Sequence, residues 1–243
     1  MVKQSQGTGT HEPIVNKREA RAQRILDAAE VLILRWGFQK TTLEDISRQA
    51  GVAKGTVYLH WKTREELLGT LIRRERLALA EDIKQLIERD PANATLRGIL
   101  KCSALALMKR PLMKAVLMQD MDVLGKMARS GQNAYMERMV GFTTYLELLR
   151  EHGLLRTDLS LRAQVYMFSA IFMGFFFLAP LMPQEFTFSD EELADLMAET
   201  VHRTLEVGNP VSSDALQNIS HTFMRYLERA TEAAQEQFRQ EIQ

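Results

Sequence analysis

Apolar residues recur on one helical face along most of the chain, without sustained alternation of period two. Ile25, Ala28, Ala29, Leu32, Ile33 and Trp36 form the inner stripe of a first helix that begins near Lys17, and Gly37 stops it. A short second helix follows Thr41-Thr42. Either hydroxyl can cap it, Glu44 or Asp45 can complete a capping box, and Leu43, Ile46 and Ala50 form its inner face before Gly51 breaks it. A third short helix covers about residues 54–60. Thr63-Arg64-Glu65-Glu66 repeats the capping-box pattern and opens a long helix that ends near Asp90-Pro91.

Beyond this point the helices are longer and more apolar. The pattern predicts helices over about 95–109, 112–129 and 132–152, with Gly153 as the stop of the last. An uncharged helix follows the polar turn RTDLS, and helices over about 190–207 and 215–236 close the chain. The expected fold class is all-α. It comprises a polar tail (1–15), an N-terminal three-helix domain (16–70) and a larger C-terminal helical domain (71–243), joined inside the fourth helix.

The uncharged stretch AQVYMFSAIFMGFFFLAPLMPQ, residues 163–184, is long enough to raise the question of a membrane span. Pro180 and Pro183 shorten the helix, Gln164, Tyr166 and Ser169 lie within it, and no basic cluster flanks it closely. A helix apolar on most faces also suits a buried interface between subunits, which is the reading taken here. The first dozen residues are polar and lack the apolar core of a signal peptide.

The net charge of zero hides an asymmetry: residues 1–70 carry +3 and residues 71–243 carry −3. The excess on the N-terminal side favours an anionic partner there. The single cysteine, Cys102, excludes an intrachain disulfide and fits a reducing, cytoplasmic setting.

Two short helices joined at a glycine make a helix-turn-helix. Gly51 supplies the positive φ of a tight turn, Ile46, Ala50, Val52 and Val57 allow close crossing, and the first long helix provides the floor. Lys54, Thr56, Tyr58 and His60 are left on the outward side, with Gly55 leaving room for close approach. Thr56, Tyr58 and Lys62 are phosphate donors, and Lys54 can reach a base edge or a phosphate. The bland alternative is the solvated face of a small bundle.

The stretch TLEDISRQAGVAKGTVYLHWKTREELL (Thr42 to Leu68), extended back through ILDAAEVLILRWGFQKTT, resembles the N-terminal domain of the tetracycline-repressor (TetR) family of transcriptional regulators. The resemblance covers about the first quarter of the chain. It implies that Thr42 meets the DNA backbone, Lys54, Gly55 and Thr56 the groove, and Tyr58 and Lys62 the phosphates. His60 then lies near the backbone or the base edges. With Thr41 these residues form the candidate DNA-contacting set. Two positions depart from the family pattern: Ser47 replaces a usual Ala, and Ala53 replaces a Ser or Thr cap worth about 1 kcal/mol.

The family resemblance further implies a homodimer that places two recognition helices on one face of a pseudo-palindromic duplex, roughly 34–36 Å apart or a modest multiple of it. Tyr166, Ala170, Met173, Gly174 and Phe177 are the candidate dimer interface. Nine of the 13 methionines fall between Met108 and Met173, interspersed with aromatic residues. Such a set suits an adaptable apolar pocket for a small effector. Met108, Met118, Met121, Tyr135, Met136, Met139, Phe142, Tyr145, Phe168 and Phe172 are its candidate lining, with core filling as the plainer role of each.

The five histidines are scattered, and neither metal-ligand spacing, a phosphate-cradling glycine loop nor a GxSxG elbow occurs. No cofactor, metal or catalytic step is expected. Glu199 and His202 share a helix face, where a solvated pair is the expectation. The rival function is a helical lipid-binding or membrane-surface protein using residues 163–184.

Overall fold

The computed structural model describes residues 14–124 and 132–243, with side chains described for 17–124 and 141–243. The helices in chain order are α1 (Ile14–Trp36), α2 (Leu43–Gln49), α3 (Lys54–His60), α4 (Arg64–Arg89), α5 (Leu96–Met108) and α6 (Pro111–Leu117). They continue as α7 (Met121–Leu124), α8 (Gln132–Glu151), α9 (Leu161–Leu178), α10 (Asp190–Leu205) and α11 (Ser213–Ile242). Among the described residues no sheet forms, and a single antiparallel bridge pairs Leu155 with Glu206. The protein is all-α, with an N-terminal helix-turn-helix followed by a larger helical part. Residues 14 and 15, expected in the tail, open α1, and 1–13 lie outside the described residues.

Two apolar cores organise the chain. In the N-terminal head, Ile25, Leu26, Ala29 and Ile33 of α1 meet Leu43 and Ile46 of α2, Val57 of α3, Trp61, and Leu67, Leu68 and Leu71 of α4. The same core takes in Leu112 and Ala115 of α6, Leu124 of α7 and Ile242 of α11. The second core joins α5, α8 and α10 with the inner sides of α9 and α11. The 26-residue α4 contributes to both, so it works as the rod between them.

Three expectations need correction. The helix expected over 112–129 is broken: Gln119 takes φ 51°, and the Asp120 carboxylate accepts from the N–H groups of Asp122 and Val123, starting α7 afresh. Trp36 belongs to the predicted inner stripe yet is 39% exposed, because it is the last residue of α1 and its ring lies under Arg35 instead. The final helix runs on to Ile242, beyond the expected end near 236, because Phe238 and Ile242, one turn apart, pack on the head.

A charged seam ties α1, α4 and α6 together. Arg74 binds Asp27 at 2.6 Å, Glu30 at 2.7 Å and Glu75 at 3.1 Å. Arg110, at the N-cap of α6, holds the buried Glu75 at 2.9 Å and Asp82 at 2.7 Å. Burial, and after it the negative charge of Glu75, raises the Glu30 pKa.

Candidate nucleic-acid interface

Local chemistry explains how the head presents α3. Thr42 caps α2 in a full capping box with Asp45: its hydroxyl accepts from the Asp45 N–H at 3.1 Å, and the Thr42 N–H reaches the Asp45 carboxylate at 3.3 Å. Those contacts, the Thr42 hydroxyl's bond to the carboxylate first, hold the Asp45 pKa below the usual range. Gly51 turns the chain at φ +64°. Gly37 turns it at φ +80°, where a Cβ would meet the Asp122 carbonyl oxygen at 2.3 Å, so no larger residue fits between α1 and α7. Ala53 precedes α3 with no side-chain cap, as its sequence departure implies.

Val57 and Trp61 anchor α3. Both are buried, and the Trp61 indole N–H donates to the Thr70 hydroxyl at 2.9 Å. Thr70 donates in turn to Glu241 of α11 at 2.8 Å, and Arg73 meets the same carboxylate oxygen at 2.8 Å. A polar chain thus runs from the end of α3 to the tip of the last helix. Thr63 caps α4 by accepting from the Glu66 N–H at 3.1 Å, but Glu66 bonds the Lys62 N–H at 2.7 Å rather than closing a capping box on Thr63.

The candidate DNA-contacting residues divide. Lys54, Gly55, Tyr58 and Lys62 are exposed, Thr56 is half-buried beside them, and all lie on or just after α3. Thr42 is exposed one helix earlier. Thr41 does not join them: it is 1% exposed and its hydroxyl donates to the Gly37 carbonyl at 2.9 Å, holding the turn after α1. The Lys54 ammonium pairs with Glu44 at 3.1 Å, which raises its pKa. Lys62 folds back to donate to the Tyr58 carbonyl at 2.8 Å, covering one open carbonyl at the end of α3. The His60 ring lies tilted against Trp61, ring centroids 5.2 Å apart, with its Nδ1 buried and unpartnered. Burial, and after it the charges of Arg18 and Arg21, hold the His60 imidazole below its ordinary pKa.

Two head residues escaped the sequence reading. Arg64 donates to the carbonyls of Phe38, Gln39 and Thr41 and lies 5.0 Å from the Phe38 ring centroid, clasping the α1–α2 loop. Nothing in the sequence marks this beyond a basic residue in the first turn of α4, where the helix dipole would favour an acid. Leu59 stands outward on α3, a position that the helical phase of Val57 would have given.

In the second core, the expected effector lining is tightly packed in part. Phe142 and Tyr145 are buried, the Phe142 and Phe168 rings lie 4.6 Å apart, and the Tyr145 hydroxyl donates to the Ala94 carbonyl. Phe142 and Tyr145 are therefore core residues first. Met108, Met118, Phe168 and Phe172 are partly buried against the same core, whereas Met121 is exposed on α7. The side chains of Tyr135, Met136 and Met139 lie outside the described residues. A depression of about 540 Å³ lies elsewhere and is charged, lined by Arg97, Glu199, His202, Arg203 and Glu206. There Glu199 pairs with Arg203 and His202 with Glu206, so the expected Glu199–His202 pair does not form. Among the described residues no group of three or more His, Cys, Asp or Glu side chains is placed to hold a metal ion.

The candidate interface helix α9 presents Tyr166 at 77% and Phe177 at 62% exposure, with Ala170 and Gly174 open between them and Met173 half-buried. Residues Leu161–Leu181 are long and apolar enough to cross a membrane by length and composition.

Comparison with known proteins converges on the head. Residues 25–71 match the family of bacterial regulatory proteins described as tetR. The fatty acid metabolism regulator protein of Bacillus subtilis is 33% identical over 75 residues, covering 31% of this chain and 35% of that protein. The transcriptional regulator TtgR of Pseudomonas putida is 42% identical over 55 residues, covering 23% of this chain and 26% of that protein. The chain thus spans about a third or less of the length of these curated relatives. SmeT, a repressor of a Stenotrophomonas maltophilia multidrug efflux pump, was solved as a complex with triclosan. It is 22% identical, with a TM-score of 0.61 over 81% of this chain and 94% of that one, a likeness of fold.

Proposed function

For a chain that belongs to the tetR family of bacterial regulatory proteins, we propose a DNA-binding transcriptional repressor that acts in the cytoplasm as a homodimer on a pseudo-palindromic operator. The observation that carries this reading is the outward surface of α3, where Lys54, Gly55 and Tyr58 are exposed, with Thr56 half-buried beside them, on a head closed by Val57 and Trp61. Tyr58 and Lys62 hold phosphates, and Lys62 swings off the Tyr58 carbonyl to do so. Lys54 exchanges Glu44 for a base edge. No catalytic step is assigned to the protein.

The open face of α9 supports pairing with a second copy through Tyr166, Ala170, Met173, Gly174 and Phe177. The half-buried Met108, Met118, Phe168 and Phe172 support an apolar or aromatic effector, of the broad kind that triclosan represents for SmeT. Its signal reaches the head through the α4–α6 seam: a ligand that displaces α6 moves Arg110 off Glu75, and Glu75 in turn holds Arg74, whose pairs with Asp27 and Glu30 fix α4 on α1. Such a ligand releases DNA only if it binds the released arrangement more tightly.

Selection from randomised duplexes followed by gel shift tests the reading. One enriched palindromic motif is expected, with Tyr58→Phe and Lys62→Ala weakening every duplex and Lys54→Ala changing the preferred bases. Failure to enrich any duplex, together with flotation of the protein on phosphatidylglycerol vesicles, would overturn it in favour of a membrane-surface role for α9.

A further inference from the structure

Leu59 is 67% exposed, more than any other large apolar side chain among the described residues of the head. A lone exposed leucine is ordinary on a protein surface, but its place here is not. The helix turns about 100° per residue, so Leu59 lies about 200° from the buried Val57. That puts it at the centre of the outward face of α3. Gly55, two residues before Val57, falls on the same side, and a Cβ added there meets nothing within 4 Å. The helix surface beside Leu59 is therefore flat and open.

The neighbours sharpen the contrast. Thr56 and Tyr58, about 60° and 100° away around the helix, flank Leu59 with polar donors, while Lys54 sits at the helix start, paired with Glu44. If α3 lies in the major groove, a leucine at its centre has to meet the edges of the bases. Almost everything displayed there is a hydrogen-bond donor or acceptor, which an aliphatic side chain desolvates without replacing. The one apolar group on a base edge is the 5-methyl of thymine. We infer that Leu59 reads a thymine 5-methyl group in each half-site, so that α3 specifies sequence by an apolar contact alongside its polar ones. This rests on the DNA-binding reading above.

The test uses the full-length protein and the duplex enriched by selection, with each thymine replaced singly by deoxyuridine, which removes only the methyl. At one thymine per half-site the wild type should lose about fourfold in affinity, the equivalent of one buried methyl at ~0.8 kcal/mol. Leu59→Ala should bind more weakly and show no further loss at that thymine, while Leu59→Met should keep the discrimination. Because Leu59 is exposed, the Tm of both variants should match wild type. The inference is overturned if no thymine responds in the wild type, if the enriched motif holds no thymine, or if Leu59→Ala discriminates as well as wild type. In all three cases specific, salt-sensitive binding remains and the regulator reading stands. Absence of specific binding to any duplex brings down both.

Discussion

In the head, a helix of only seven residues buries Val57 completely and sets Trp61 in a hydrogen-bonded slot. In the body, the eighteen-residue α9 buries only Gln164 and Phe176 and leaves Tyr166 and Phe177 open. Length is thus no guide to how completely an element is packed. The head closes its core by drawing in Leu112, Leu124 and Ile242 from distant parts of the chain, so its outward side is free for donors and one leucine. The body keeps an apolar face that only a further surface can cover, and a second copy is the occupant proposed.

The sharpest way to break this contrast is to charge the open face. Tyr166→Glu with Phe177→Glu should turn a dimer into a monomer in sedimentation at micromolar concentration, and operator affinity should fall roughly 100-fold with the loss of bivalent binding. Fold stability should change little, because both side chains are exposed. In the head, Trp61→Ala should have an effect at least as large, costing about 3–5 kcal/mol by chemical denaturation, because a large buried ring is lost. Thr70 also loses its indole donor.

Smaller effects sharpen the picture of the head. Ala53→Ser supplies the missing cap of α3 and should add about 1 kcal/mol, or about 2–4 °C in Tm for a chain of this size. The smallest effect concerns His60. Its folded pKa lies below its unfolded value, so the unfolded chain binds the proton more readily. The contribution of His60 to stability is complete above the unfolded pKa of about 6.5 and is lost as pH falls through the folded pKa. Thermal melts from pH 7.5 downward should show a decline that flattens in His60→Gln. In the body, burial pushes the Cys102 thiol up to about 11, so it should stay inert to a thiol reagent at pH 8 until the protein unfolds.

The head was more legible in sequence than the body for a physical reason. Its short helices depend on local devices that sequence displays directly: the Thr42–Asp45 box, Gly51 in the left-handed region, and Val57 followed by Trp61. Where a local pattern can be satisfied in two ways, the reading failed. Both Thr41 and Thr42 carry hydroxyls, and only the fold sends one inward to Gly37. Trp36 matched the apolar stripe but came at the helix end, where the floor stops. Asp120 carried a cap signal inside an apolar period, and the period masked it. Long-range partners left no local trace: the clasp of Arg64 on the Phe38, Gln39 and Thr41 carbonyls and the contact of Glu241 with Thr70 and Arg73 join residues far apart in the chain. The methionine-rich stretch stays compatible with both a pocket and a core, because flexible apolar residues fit either equally well. Phe142 and Tyr145 belong to the core.

The central claim is that the outward face of α3 binds DNA by sequence. The most direct measurement is the affinity of the full-length protein for the selected duplex and for the same duplex with its bases scrambled, each titrated from low to physiological salt. The selected duplex should bind at least about 1,000-fold more tightly at physiological salt. Affinity for both should fall linearly on a logarithmic salt scale, with a shallower slope for Lys62→Ala. Equal affinity for the two duplexes, or binding indifferent to salt, would contradict the account.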